Sequence, residues 1–130
     1  MRQVARAALV EGLLVGAPLA ICVVLLAILG LTPSLAWIPE VPLLAAGILI
    51  PLTAFALAGY RAGARSGRTA AGALAGGLTG AVAGTLGGLM YVAFGKPALN
   101  VAVGLVLGAA AGAMVGSVAA LVRLRRGLTD

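Results

Sequence analysis

The sequence predicts an all-α integral membrane protein, a single domain over residues 1–130 built as a four-transmembrane-helix bundle. Three observations predict this fold class. Apolar residues make up 62% of the chain and charged residues only 9%, against roughly a quarter charged in a soluble domain. Four apolar runs each reach about 20 residues, the length that crosses roughly 30 Å of hydrocarbon. Turn residues or charges separate the runs.

The four predicted helices cover residues 7–29, 41–60, 69–94 and 98–122. The breaks between them contain "LTPSLAWIPEVP", "RAGARSGR" and "GKP", which are rich in turn-forming or charged residues. Because these connections are short, consecutive helices should be antiparallel neighbours. The first run follows basic residues, as a signal peptide does, but it is longer than a secretory core and contains Glu11. We therefore expect it to be retained as the first helix.

The basic residues predict the orientation in the membrane. Eight arginines fall on one side of the predicted spans, and Lys96 is alone on the other side. Lys and Arg accumulate on the cytoplasmic side, so we expect both termini in the cytoplasm of a bacterium and the chain in its inner (plasma) membrane. Eight cations at an anionic leaflet would also attract acidic lipid headgroups. The predicted cytoplasmic basic anchors are Arg2, Arg6, Arg61, Arg65, Arg68, Arg123, Arg125 and Arg126.

Composition argues against several function classes. The net charge of +6 and the pI near 11.2 are also found in nucleic-acid-binding proteins, but here the arginines lie between apolar runs instead of forming a patch on a soluble fold. The chain has no histidine, one cysteine (Cys22) and three carboxylates, Glu11, Glu40 and Asp130. Zinc sites, haem ligation and Ser-His-Asp triads need more of these groups. We therefore expect no metal, no cofactor, no nucleic-acid partner and no enzymatic activity.

Glycine recurs at every fourth position of the last two predicted helices. The stretch "GALAGGLTGAVAGTLGG" covers residues 72–88, and the fourth helix repeats the spacing from residue 104 to residue 116. Apolar side chains gain little by leaving lipid for another apolar surface, so helices associate where small residues let their backbones approach. The sequence therefore predicts GxxxG packing, a glycine zipper, between helices 3 and 4. The predicted helix-packing residues are Gly72, Gly76, Gly80, Gly84, Gly88, Gly104, Gly108, Gly112 and Gly116.

Three arrangements of these glycines are open: a bundle within one chain, an interface in a homo-oligomer or larger membrane complex, and a narrow pore. A four-residue step turns about 40° around the helix, so the third-helix stripe drifts by roughly 160°. We expect no single straight neighbour to cover it, and different helices to meet its two ends.

Glu11 is the one carboxylate inside a predicted span. An intramembrane acid is by default a functional-site hypothesis, here as an ion- or proton-coupling residue. The structural alternatives are that it reaches the cytoplasmic headgroups or pairs with an arginine from a neighbouring helix end. Pro18 and Pro51 fall near the middle of the first two spans. They predict helix kinks, or alternatively a binding site near the middle of the membrane, formed where the two helices are interrupted.

The stretch "ALAGYRAGARSGRTAAGALAGGLTGAVAG", residues 56–84, resembles the centre of small four-span prokaryotic membrane proteins of unknown function. In those proteins the second helix leads through a short basic loop into a Gly-rich third helix. The resemblance implies a four-helix membrane protein without catalytic residues.

A second similarity, in size and topology, is to the small multidrug resistance transporters, which use a glutamate in the first of four spans. Glu11 occupies a comparable place. The sequence departs from that family because no Trp or Tyr lies near the middle of a predicted span and because its charge bias disfavours dual topology.

The sequence thus predicts a structural or accessory membrane protein that packs or associates through its Gly-rich helices. The alternative is a small homo-oligomeric transporter or channel in which Glu11 couples protons or cations.

Overall fold

The computed structural model describes residues 1–33 and 37–126. These residues form four α-helices and no strand: α1 (Arg2–Leu31), α2 (Glu40–Ser66), α3 (Thr69–Ala93) and α4 (Leu99–Arg126). The predicted all-helical fold class is therefore confirmed. All four helices are long and apolar enough to cross a membrane, so the chain is a multi-pass membrane protein. Asp130 lies outside the described residues.

Helix α2 is longer than the sequence predicts, and this is a correction to the predicted basic loop. Residues 61–66 continue the helix to Ser66, because alanine and arginine favour a helix and the one glycine among them, Gly63, packs within the helix against Ala120 of α4. Termination comes at Gly67, whose φ of 64° is left-handed and whose N–H donates to the carbonyl of Gly63 at 2.9 Å, as in an αL cap. Arg61 and Arg65 therefore stand on one helical face instead of in a turn.

The start of α1, the α2–α3 connection and the end of α4 meet at one end of the molecule, here called the basic end. The α1–α2 and α3–α4 connections lie at the opposite, far end. Helices α2 and α3 contact each other and both remaining helices, whereas α1 and α4 make no close backbone contact over the described residues. Helices α2 and α3 are therefore central, with α1 and α4 on opposite sides of them.

Small residues form most of the core, and the core is concentrated towards the basic end. One cluster contains Ala8, Val15, Ala58, Ala62, Ala71 and Ala75, and a second, nearer the middle, contains Leu19, Phe55 and Ala83. Beyond Leu19 in α1 and before Phe55 in α2, no described residue is fully buried. At the far end a wedge of about 610 Å³ opens beside α1, α2 and α3.

Candidate functional site

Glu11 is completely buried on the inner face of α1. It shares that face with Ala7, Ala8 and Val15, three and four residues before and after it, because residues at those spacings lie on one side of a helix. A carboxylate in this position is costly unless cations neutralise it. Helix α2 supplies the cations.

Arg61 and Arg65 contact Glu11 from one face of α2, one helical turn apart. The Nε of Arg61 lies 2.6 Å from Oε2 of Glu11, and the Nε of Arg65 lies 2.7 Å from Oε1. Neither oxygen of Glu11 has a hydrogen-bond partner among the described residues, so the contact with the two arginines is an ion pair. We call these three residues the α1–α2 clasp.

The clasp joins a fully buried anion to two partly exposed cations. The arginine side chains are 41% and 53% exposed, so their outer parts remain at the surface while Nε faces inward. With two cations and one anion, the clasp carries a net positive charge. In a low-dielectric interior, removing the partners of a buried charge is strongly destabilising, so the clasp ties α1 to α2 at the basic end.

A buried hydroxyl links α1 to α3 beside the clasp. Thr79 is fully buried, and its Oγ1 lies 3.1 Å from the carbonyl of Gly12 and 2.9 Å from the carbonyl of Ala75. The contact to Gly12 crosses between helices, one residue after Glu11. The approach is close enough that a Cβ on Gly12 would lie 3.0 Å from Cδ2 of Leu78 and 3.2 Å from the carbonyl oxygen of Ala75.

Helices α3 and α4 lie backbone to backbone. A Cβ added to Gly76, Gly80 or Gly84 would overlap a carbonyl oxygen of α4, and the reverse holds for α4 against α3. No side chain fits between the two backbones at these levels. The facing pairs along the stripe are Gly76 with Gly112, Gly80 with Gly108, and Gly84 with Gly104.

The two ends of the α3 stripe also lie against α4. A Cβ on Gly72 would lie 2.6 Å from the carbonyl oxygen of Gly116, and one on Gly88 would lie 2.5 Å from Cα of Val101. The expectation that no single neighbour covers the stripe is therefore wrong, because α4 lies against both of its ends; at Gly72, α2 approaches as well, through the carbonyl oxygen of Gly59. A stripe with a period longer than 3.6 residues can stay on one partner if the two helices wind around each other.

The glycines of α2 near the basic end form a second close approach. A Cβ on Gly59 would overlap Gly116 of α4, and one on Gly63 would lie 2.7 Å from the Cβ of Ala120. The sequence alone does not indicate α4 as the partner of these two glycines. Gly59 and Gly63 repeat the four-residue glycine spacing that indicates a close helix contact, but the predicted second helix ends at residue 60, before Gly63.

The remaining predicted residues lie outside the α1–α2 clasp and outside the glycine contacts. The α-helix continues through both Pro18 and Pro51, and the predicted kinks stay predictions. Arg123 lies over the ring of Tyr60, 5.8 Å from its centroid. Five of the predicted anchors outside the last residue of α4, with Arg65 of the clasp among them, are exposed at the basic end: Arg2, Arg6, Arg65, Arg68 and Arg125. Arg126, also at the end of α4, is exposed as well.

The described residues contain no group of three His, Cys, Asp or Glu side chains placed to hold a metal ion. Comparison with protein-family models, curated proteins and solved structures found no match to this chain.

Proposed function

We propose that this chain is a structural or accessory protein of the membrane, without enzymatic activity, whose α3–α4 pair is a glycine zipper of the GxxxG type. The observation that carries the proposal is the set of overlaps between added Cβ atoms and facing carbonyl oxygens on α3 and α4. In lipid, such close approach provides the van der Waals contact that holds helices together.

The glycine zipper supports packing within one chain over docking of a partner on the same face. The glycines of α3 are occupied by α4 of the same molecule, so this stripe is not free for a second copy. An accessory role would use the outer, lipid-facing side chains of the pair, which include Leu74, Leu107 and Met114, all more than half exposed.

The orientation we propose places the basic end in the cytoplasm of a bacterial inner membrane. Support comes from the charge distribution, because eight arginines are grouped on one side of the spans and Lys96 is alone on the other. This is the asymmetry expected of a cytoplasmic side. Labelling single cysteines introduced at Arg125 and at Lys96, in a Cys22→Ala background, tests the assignment in intact cells. A membrane-impermeant thiol reagent should label position 96 only, and labelling of position 125 would reverse the topology.

The test of the packing proposal uses Gly80→Leu and Gly108→Leu, with Gly47→Leu as the matched control. Gly47 lies within a helix and has no atom within 4 Å of an added Cβ, so the control makes the same chemical change without a neighbour to displace. We expect both zipper variants to lose the folded monomer in mild detergent and the control to keep it, read by native mass spectrometry and thermal unfolding. If the zipper variants retain the fold and the association state of the wild type, the proposal is wrong.

Transport coupled through Glu11 is the second candidate, and a carboxylate buried within a candidate span favours it. Against it, both oxygens of Glu11 already face arginine Nε atoms, as a structural ion pair requires. Proton flux into vesicles containing the wild type or Glu11→Gln separates the two roles. Equal flux assigns Glu11 to structure, whereas flux that disappears with Glu11→Gln supports coupling.

A further inference from the structure

A recess lies at the basic end, beside the α1–α2 clasp. Its volume is about 460 Å³, and its lining residues are Gln3, Arg6, Ala7, Val10 and Arg65. The recess is therefore bordered by the first turns of α1 and the last turn of α2. Its volume falls in the range of small-ligand sites, about 300–1,000 Å³.

The recess is positively charged. Arg6 and Arg65 contribute two cations, and no carboxylate is among the lining residues. The neighbouring carboxylate, Glu11, is fully buried and already faces Nε of both clasp arginines. An anion entering the recess therefore meets cations and an amide, with no exposed carboxylate among the described lining residues.

Glu11 also orients one of these cations. It contacts Arg65 through Nε at 2.7 Å, while the side chain of Arg65 stays 53% exposed. Because Nε is held on the inner side, the terminal nitrogens of the guanidinium are the donors that remain for a ligand. A planar guanidinium suits phosphate oxygens, which it can bind through two parallel N–H groups.

We propose that this recess is a binding site for a phosphate ester, the headgroup phosphate of an anionic phospholipid or a soluble phosphate with the same chemistry. Arg6 and Arg65 bind the phosphate oxygens, and the Gln3 amide donates a further hydrogen bond. Ala7 and Val10 contact the apolar part next to the phosphate. Glu11 acts as a positioning residue for Arg65. The site does not depend on the glycine zipper.

The test measures lipid retention by the full chain in mild detergent, using native mass spectrometry. The probes are dioleoyl phosphatidylglycerol, dioleoyl phosphatidylcholine and inorganic phosphate as a competitor. Arg6→Gln removes a lining cation; Arg6 is exposed and forms no ion pair within the described ranges 1–33 and 37–126, so the variant should fold. The matched control is Arg125→Gln, which removes an equal charge at the same end on α4, a helix without close backbone contact to α1.

We expect the wild type to retain phosphatidylglycerol over phosphatidylcholine. Arg6→Gln should weaken that retention about tenfold, the effect of losing one charge-assisted hydrogen bond. Arg125→Gln should change it less than about twofold, because salt screens a charge beyond the site. Displacement of the lipid by millimolar inorganic phosphate would assign the site to soluble phosphates, and resistance to displacement would assign it to the lipid headgroup. Equal losses in the two variants, or equal retention of both lipids, would overturn the proposal.

Discussion

The two helix pairs of this molecule are held together in different ways. Helices α3 and α4 touch along their length through glycine backbones. Helices α1 and α2 are joined at the basic end by a buried carboxylate between two arginines and border a wedge at the far end. Where side chains are absent, backbone contact can run the whole length of a pair. Where larger residues remain, the buried ion pair and the apolar core around it hold the pair from the basic end to the middle only.

The largest effect is expected from removing both cations of the α1–α2 clasp. Arg61→Ala with Arg65→Ala leaves Glu11 buried without a partner. The cost should be near the lower end of the range of about 3–5 kcal/mol for breaking a buried pair, because the two arginines are themselves half exposed. Thermal or chemical unfolding in detergent measures it. Arg68→Ala with Arg125→Ala removes the same charge from exposed positions and should have little effect; similar losses in the two double variants would show that the clasp contributes nothing specific.

A smaller loss in the free energy of unfolding is expected from adding a single methyl group to α3, and the result depends on which glycine receives it. Gly76→Ala places a Cβ against the carbonyl oxygen of Gly112, and should destabilise by about 1–3 kcal/mol, as overpacking does. Its neighbour Gly77 is the control, because a Cβ there would lie 3.4 Å from the Cβ of Ala113, at the close end of ordinary contact. Gly77→Ala should be neutral or stabilising by up to about 1 kcal/mol, since alanine is the better helix former. A reversed order of the two unfolding midpoints would contradict the α3–α4 contact.

The hydroxyl that joins α1 to α3 should contribute less. Thr79→Val keeps the shape of the side chain and removes the hydrogen bond to the carbonyl of Gly12. Interhelical hydrogen bonds in membranes average about 0.6 kcal/mol, so we expect a loss of that size in the free energy of unfolding. Thr53→Val is the control, because Thr53 is exposed and bonds only within its own helix. If Thr79→Val lowers the free energy of unfolding no more than the control does, the hydrogen bond to Gly12 does not stabilise the fold.

The smallest effect is expected at the far end of α2. Leu44 borders the wedge and is 67% exposed. Leu44→Ala should change the free energy of unfolding by less than about 0.5 kcal/mol, as surface substitutions do. Leu19→Ala, in the core at 3% exposure, provides the contrast and should destabilise more than Leu44→Ala, because it leaves a cavity among packed side chains. If the two variants lose equal stability, the helices are packed equally tightly at both ends.

The sequence predicted four apolar helices because chain length against bilayer thickness is a strong constraint. It could not predict the end of α2, since "RAGARS" is compatible with both a basic loop and a helix. The clasp could not be predicted for the same reason. Arg61 and Arg65 lie one turn apart on the same face only if residues 61–66 are helical. Pairing with an arginine was one of several alternatives for Glu11, and the partner depends on which helices are neighbours, which hydropathy does not encode.

The sequence predicts α4 as the partner of the α3 glycines, because both helices repeat glycine at a four-residue spacing. It does not predict that α4 covers the whole stripe, because periodicity describes one helix at a time and the winding of two helices around each other changes which residues face each other. The alanines beside the glycines were missed for a similar reason. Ala71 and Ala75 are fully buried, yet alanine occurs throughout the chain and gives no positional signal.

Disulfide formation between α3 and α4 tests most directly whether these two helices are in close contact within one chain. The variant carries Gly77→Cys and Ala113→Cys in a Cys22→Ala background, because an added Cβ at position 77 lies 3.4 Å from that of Ala113, near the separation of about 3.5–4.5 Å that a disulfide needs. Leu74→Cys with Met114→Cys, on exposed positions, is the control pair. Mild oxidation should give a disulfide within one chain at monomer mass for the first pair only. Disulfide-linked dimers, or no cross-link at all, would contradict the contact between these two helices.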